Sequence, residues 1–118
     1  MYCEFYQDNE LEVRCSNCGR GFSGKPEDYN GRVVCTEKLT GPGTDLETIF
    51  KWWAKRLGRE FRPCPSCRRT KLMMNLHGKE WVRQNLEALA LGIKQNADAM
   101  GHAVPLLMIR KWLRKVSE

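Results

Sequence analysis

Histidine is scarce in this 118-residue chain, with only His77 and His102, and several metal and acid–base chemistries fall away with it. No HExxH pair is present, so the helical zinc-protease arrangement is excluded. Pro63-Cys64-Pro65-Ser66-Cys67 has the form of the second half of a zinc-deaminase signature, but no His-x-Glu precedes it. Gly41-Pro42-Gly43-Thr44 lacks both the lysine and the spacing of a phosphate-binding loop. No serine or cysteine has an evident histidine base, and the expectation is that the protein is not an enzyme. Long apolar runs are missing as well. No eighteen-residue stretch could form a membrane-spanning helix, and no membrane partner is expected. The opening Met1-Tyr2-Cys3-Glu4-Phe5-Tyr6-Gln7-Asp8 has neither the basic nor the apolar region of an export signal, which points to a reducing, cytoplasmic compartment.

Against these absences stand six cysteines. In a reducing compartment, CxxC pairs are metal ligands or redox centres rather than structural disulfides. Cys15-Ser16-Asn17-Cys18-Gly19 is the most specific of the motifs. Two intervening residues let both thiolates reach one tetrahedral ion, and the following glycine permits the left-handed turn such a knuckle needs. Cys64-Pro65-Ser66-Cys67 repeats the spacing, but forty-five residues separate Cys18 from Cys64, longer than a compact paired-knuckle ribbon uses. Sixteen residues separate Cys18 from Cys35, the interval at which a third ligand belongs. A structural Zn2+ held by Cys15, Cys18 and Cys35 is therefore expected, with the fourth ligand from Cys3, Cys64 or Cys67. A Cys15/Cys18/Cys64/Cys67 site that leaves out Cys35 is the competing assignment. A thioredoxin-like role for Cys64 and Cys67 lacks its strand–helix–strand frame. His77 could join Cys64 and Cys67 in a second site, although its place at a helix end suits an interaction with the helix dipole. His102 reads as a loop residue.

Charge is distributed unevenly. Acidic groups outnumber basic ones nine to five over residues 1–50. Residues 51–71 then carry eight cations (Lys51, Lys55, Arg56, Arg59, Arg62, Arg68, Arg69 and Lys71) against Glu60 alone. With Trp52, Trp53 and Phe61 interleaved, this is the composition of a phosphate-binding, base-stacking face, for which DNA or RNA is the expected partner. Trp53 falls on the apolar stripe of its helix, and Trp52 falls beside that stripe. The alternative partner is an acidic protein surface or a virion component met by the same cations.

The periodicities predict an α+β protein: a small zinc-stapled β lobe over residues 1–38, then a bundle of three to four helices over 39–118 that contains the second CxxC. Leu11, Val13 and Cys15 alternate as in a strand, and Gly31-Arg32-Val33-Val34-Cys35 reads as another. Thr44 is expected to cap a helix with Glu47 completing a capping box, Leu46, Ile49, Phe50, Trp53 and Leu57 forming its stripe, and Gly58 stopping it. A short helix with Leu72, Met73 and Leu76 inward is expected to end near Gly78. A longer one follows with Val82, Leu86, Leu89, Ile93, Ala97 and Met100 inward, and the last begins near Pro105 with Leu106, Ile109, Leu113 and Val116 buried.

Gly41-Pro42-Gly43-Thr44-Asp45-Leu46, the later cysteine pair with Arg68 and Arg69, Met74-Asn75 before Gly78, and Trp81 and Asn85 beyond it together resemble a group of small phage and bacterial zinc-knuckle proteins. The likeness covers about residues 40–115, and the Cys15/Cys18/Cys35 set is similar to the knuckle lobe that some of them carry. Where those proteins often have a cysteine after the tryptophan, this chain has Val82. The resemblance implies a phage or prophage setting, either the bacterial host's cytoplasm or the virion, and implies no particular reaction.

Overall fold

The structure is a computed structural model that describes residues 2–35, 39–61 and 65–118. It is α+β and divides into two compact units, Met1–Leu39 and Thr40–Glu118.

The first unit is built on a three-stranded antiparallel sheet in the order β1 (Phe5–Gln7), β2 (Glu12–Cys15), β3 (Gly21–Ser23). Val13 and Cys15 alternate with Glu12 and Arg14, and both are wholly buried. Phe5 lies opposite Cys15, and Phe22 opposite Val13, so one face of the sheet carries the apolar side chains. A single-turn helix, α1 (Pro26–Tyr29), brings Tyr29 onto that face. Its ring stacks on Phe22 at 5.0 Å and lies 5.6 Å from Phe5, while its hydroxyl donates to the Ser23 carbonyl. Leu11 is 76 % exposed, since the strand begins after it. The run Gly31–Cys35 is not a strand: it contributes only an isolated bridge between Val34 and Tyr2.

The second unit is helical: α2 (Pro42–Arg56), α3 (Pro65–Gln84, broken at Gly78), α4 (Leu86–Ala99) and α5 (Leu106–Val116). Leu46, Phe50, Met74, Val82, Ala90, Ile93, Val104, Ile109, Trp112, Leu113 and Val116 form one buried cluster. Phe50 and Trp112 meet edge to face at 5.2 Å near its centre. The helix from Val82 onward does not run unbroken to Met100. It is interrupted at Asn85, whose side-chain amide donates to the Trp81 carbonyl at 2.9 Å.

The start of α2 differs from the expected capping box. The cap is Gly41, with Pro42 in the first turn, and Thr44 lies inside the helix. The Thr44 N–H is capped from another helix, by Asn75 Oδ1 at 3.1 Å, while Asn75 Nδ2 donates to Thr44 Oγ1 at 2.9 Å. Glu47 reaches Lys51 and Lys71 instead of the cap. Gly43 permits this junction, because a Cβ there would lie 2.1 Å from the Lys71 carbonyl oxygen. The Gly41–Thr44 segment thus meets Lys71 and Asn75 of α3 as one packing contact. At the other end, the Gly58 N–H bonds the Lys55 carbonyl and the Arg59 N–H the Ala54 carbonyl, the paired bonds of a glycine-terminated helix.

Two stripes are also shifted. In α3, Lys71, Leu72 and Met74 are buried, whereas Leu76 is 58 % exposed and Met73 turns outward. In α5, Trp112 joins Ile109, Leu113 and Val116 inside, and Leu106 is half-buried.

Candidate metal centre and basic face

The turn between β2 and β3 carries the first two thiols. Gly19 takes φ +80°, its N–H bonds the Cys15 carbonyl at 2.9 Å, and the Asn17 N–H approaches Cys15 Sγ at 3.3 Å. The other two thiols come from the edge of the lobe. Tyr2 bridges Val34, and the Cys3 N–H bonds the Val33 carbonyl at 2.7 Å, which sets Cys3 and Cys35 side by side. The four sulfurs converge within 4.8 Å of one another. Among the described residues this is the one group of three or more histidine, cysteine or acidic side chains so arranged.

Cys3 Sγ and Cys18 Sγ lie 3.7 Å apart. A disulfide requires about 2.05 Å, whereas two sulfurs on a tetrahedral ion with ~2.3 Å bonds stand about 3.8 Å apart. The spacing is that of ligands around an ion. Cys3 and Cys15 are buried, and Cys18 and Cys35 are half-buried.

The electrostatics separate the thiols. Burial works against ionisation of Cys15, but N–H groups of Cys18, Asn17 and Glu4 directed at its sulfur prevail and hold its pKa below the ordinary thiol value. Cys3 is pushed well above that value, first by burial and then by the neighbouring thiols. Cys35 is raised for the same two reasons, burial and then Cys18. Three or four thiolates would repel one another strongly in so small a volume, and a metal ion held there would supply the missing charge.

Cys67 belongs to α3 in the second unit, where with Lys71 and His102 it lines an apolar cavity of about 50 Å³. Cys64 lies outside the described residues, so the competing four-cysteine assignment and a Cys64/Cys67/His77 site rest partly outside them too. His77 stacks on Trp81 at 4.7 Å. His102 lies in the loop between α4 and α5, with its Nε2 buried and its ring 5.7 Å from Phe61.

Of the cations between residues 51 and 71, Lys51, Lys55, Arg56, Arg59 and Arg69 are exposed, and Arg68 is half-buried. Lys51 pairs with Glu47 at 3.2 Å, and Arg59 reaches the Gly101 carbonyl at 3.5 Å. Lys71 is a correction to the expected phosphate-binding set. It is only 7 % exposed, and its ammonium is held 3.1 Å from Glu47 Oε1 because the Gly43 contact draws this part of α3 against α2. Arg62 lies outside the described residues. Trp53 packs inward against Trp112 at 5.5 Å, whereas Trp52 is 52 % exposed with the Arg56 guanidinium 4.9 Å over its ring.

Two features of the site were hard to read in the sequence. The pairing of Cys3 with Cys35 depends on a two-residue bridge with no periodicity of its own, and Asn75 caps a helix thirty-one positions away. No helix among the described residues is long and apolar enough to cross a membrane. No family model, curated protein or solved structure matches the chain.

Proposed function

We propose that this chain is a small structural-zinc protein whose helical unit binds nucleic acid through a basic face, in an accessory role within a phage or its bacterial host. The observation that carries the metal half is the convergence of Cys3, Cys15, Cys18 and Cys35 within 4.8 Å. Four sulfur donors suit zinc over hard cations such as Mg2+ or Ca2+. A site with four protein ligands has no open position for water or substrate, which supports a structural role over catalysis. The chemistry the ion supplies is neutralisation of the thiolates and closure of the lobe.

The nucleic-acid half is supported by the exposed cations of α2 and its continuation, Lys51, Lys55, Arg56 and Arg59, together with Arg68 and Arg69 on α3. Residues 48–59 contain no acidic side chain, and Glu47 just before them pairs with Lys51. Two measurements test the reading. Metal analysis of protein purified without added metal should find about one zinc per chain. Zinc should be lost in Cys3→Ser as well as Cys15→Ser, and folded, reduced protein without zinc would overturn the metal assignment. Binding to DNA and RNA should fall steeply with added salt, and Arg59→Gln with Arg69→Gln should weaken it equally across sequences. No binding at low salt, beside a discrete complex with an acidic protein on size exclusion, would replace nucleic acid by a protein partner.

A further inference from the structure

Helix α2 sorts its two adjacent tryptophans to opposite environments. Phe50, Trp53 and Ala54 face the core, and the 100° step of the helix turns Trp52 away from it. Of the four tryptophans, Trp112 is buried, Trp53 and Trp81 are half-buried, and Trp52 alone is exposed, at 52 %. It stands within the stretch free of acidic side chains, between Lys51 and Lys55, with Arg56 one turn on and its guanidinium 4.9 Å over the indole. A flat ring with a cation stacked on it and further cations beside it is a platform for a base with its phosphate.

We infer that the ligand of this face is a single-stranded nucleic acid, one of whose bases stacks on Trp52 beside Arg56 while Lys55 and Arg59 hold the flanking phosphates. This rests on the nucleic-acid reading above and narrows it. Duplex bases are already stacked on one another and present only their edges, so a duplex could engage the cations but not the indole. An acidic polypeptide would likewise pair with the cations and leave the ring unused. The single strand is the ligand class that uses both parts of the face. Base stacking accepts any base, so little sequence preference is expected.

The test is fluorescence anisotropy of the full, metal-loaded protein with labelled oligo(dT) and oligo(rU) of about twelve nucleotides and a duplex of the same length, at several salt concentrations. The single strands should bind about tenfold more tightly than the duplex. Trp52→Ala should lose about tenfold in single-strand affinity and leave duplex affinity and the salt slope alone, while Trp52→Phe keeps most of the binding. Lys55→Gln should lower the salt slope by about 0.7. The two oligonucleotide arms report whether the sugar matters. Trp52 is exposed, so an unchanged melting temperature in Trp52→Ala separates lost stacking from lost fold. Equal affinity for single strand and duplex, wild-type affinity in Trp52→Ala, or competition by polyglutamate as strong as by the single strand would each overturn this inference while leaving nucleic-acid binding in place. Absence of binding by every oligonucleotide at low salt would overturn both.

Discussion

The two units of this chain are built around different kinds of buried side chain. In the Met1–Leu39 unit the buried apolar cluster is Cys3, Phe5, Val13 and Cys15, so half of it consists of thiols that converge with Cys18 and Cys35. A folding unit below about 40 residues rarely buries enough surface to be stable without a metal or disulfides. The Thr40–Glu118 unit instead buries eleven apolar side chains in one cluster, eight of them on α2, α3 and α5: Leu46, Phe50, Met74, Val82, Ile109, Trp112, Leu113 and Val116. Cysteine near a short sheet and cysteine near a helix thus carry different meanings within one sequence. In the first unit two thiols make up half of the buried cluster, and in the second Cys67 lines a cavity.

The largest expected effect breaks this comparison open. Chelation, or Cys15→Ser, should unfold the first unit and leave the second folded, because a structural zinc contributes an apparent ~10–16 kcal/mol of binding free energy to a fold that lacks another source. Amide NMR spectra of the reduced full chain, with and without chelator, would show the resonances of residues 2–35 collapsing while those of 65–118 stay dispersed. Dispersion retained throughout in metal-free protein would mean that the first unit holds its own core.

Next in size is Gly43→Ala, which tests the second unit where its helices approach most closely. The added methyl would meet the Lys71 carbonyl at 2.1 Å, a backbone atom that can retreat only if α3 moves away from α2. The expected cost is about 3 kcal/mol, read in denaturant melts of the helical signal, with zinc content unchanged. A variant as stable as wild type would show that this helix pair tolerates a looser junction.

What could be read in advance follows the range of the interactions. Helix stripes were legible because burial repeats every three or four residues: Leu46, Phe50, Ile93, Ala97, Ile109 and Leu113 are all inside. Cys15 and Cys18 were legible because a knuckle is local. Leu76 misled because its spacing suits a stripe, yet the helix presents Lys71, Leu72 and Met74 inward, so Leu76 is carried outside. A lysine on an inward face is not readable from periodicity, since its burial depends on Glu47 in a different helix. The same limit hid the cap that Asn75 supplies to Thr44 and the bridge that sets Cys3 beside Cys35. In each case the partner is distant in sequence and the contact leaves no repeat.

The buried Lys71–Glu47 pair gives a third, pH-dependent expectation. Burial alone would raise the Glu47 carboxyl, but Lys71 and then Lys51 outweigh it, so its folded-state pKa lies below the usual glutamate value. A depressed carboxylate stabilises the fold at pH above its unfolded value, and that contribution is lost as pH falls through the lower, folded value. Glu47→Gln should therefore cost about 1–3 kcal/mol near neutrality by leaving a buried ammonium without its anion. The difference from wild type should shrink as pH drops below the ordinary glutamate range. Parallel melts of the two proteins from neutral to acid pH check it. A constant difference across that range would assign the effect to packing rather than charge.

The smallest effect concerns the ion pair that joins α5 to α4. Arg110 Nη2 lies 3.0 Å and Nε 3.2 Å from Glu87 Oε2, but the Glu87 side chain is 61 % exposed, so water screens the pair. Arg110→Gln should cost about 0.5 kcal/mol, and the difference should disappear in high salt as the screening length shrinks. If the second unit is held by its apolar cluster, this must be so: the α4–α5 contact then rests on Ala90, Ile93, Ile109 and Leu113, all buried, and the charges only edge it. A loss of 2 kcal/mol or more that persists in high salt would instead place much of the junction's stability in that one pair. The contrast between a unit held by its ligands and a unit held by its core would then lose its second half.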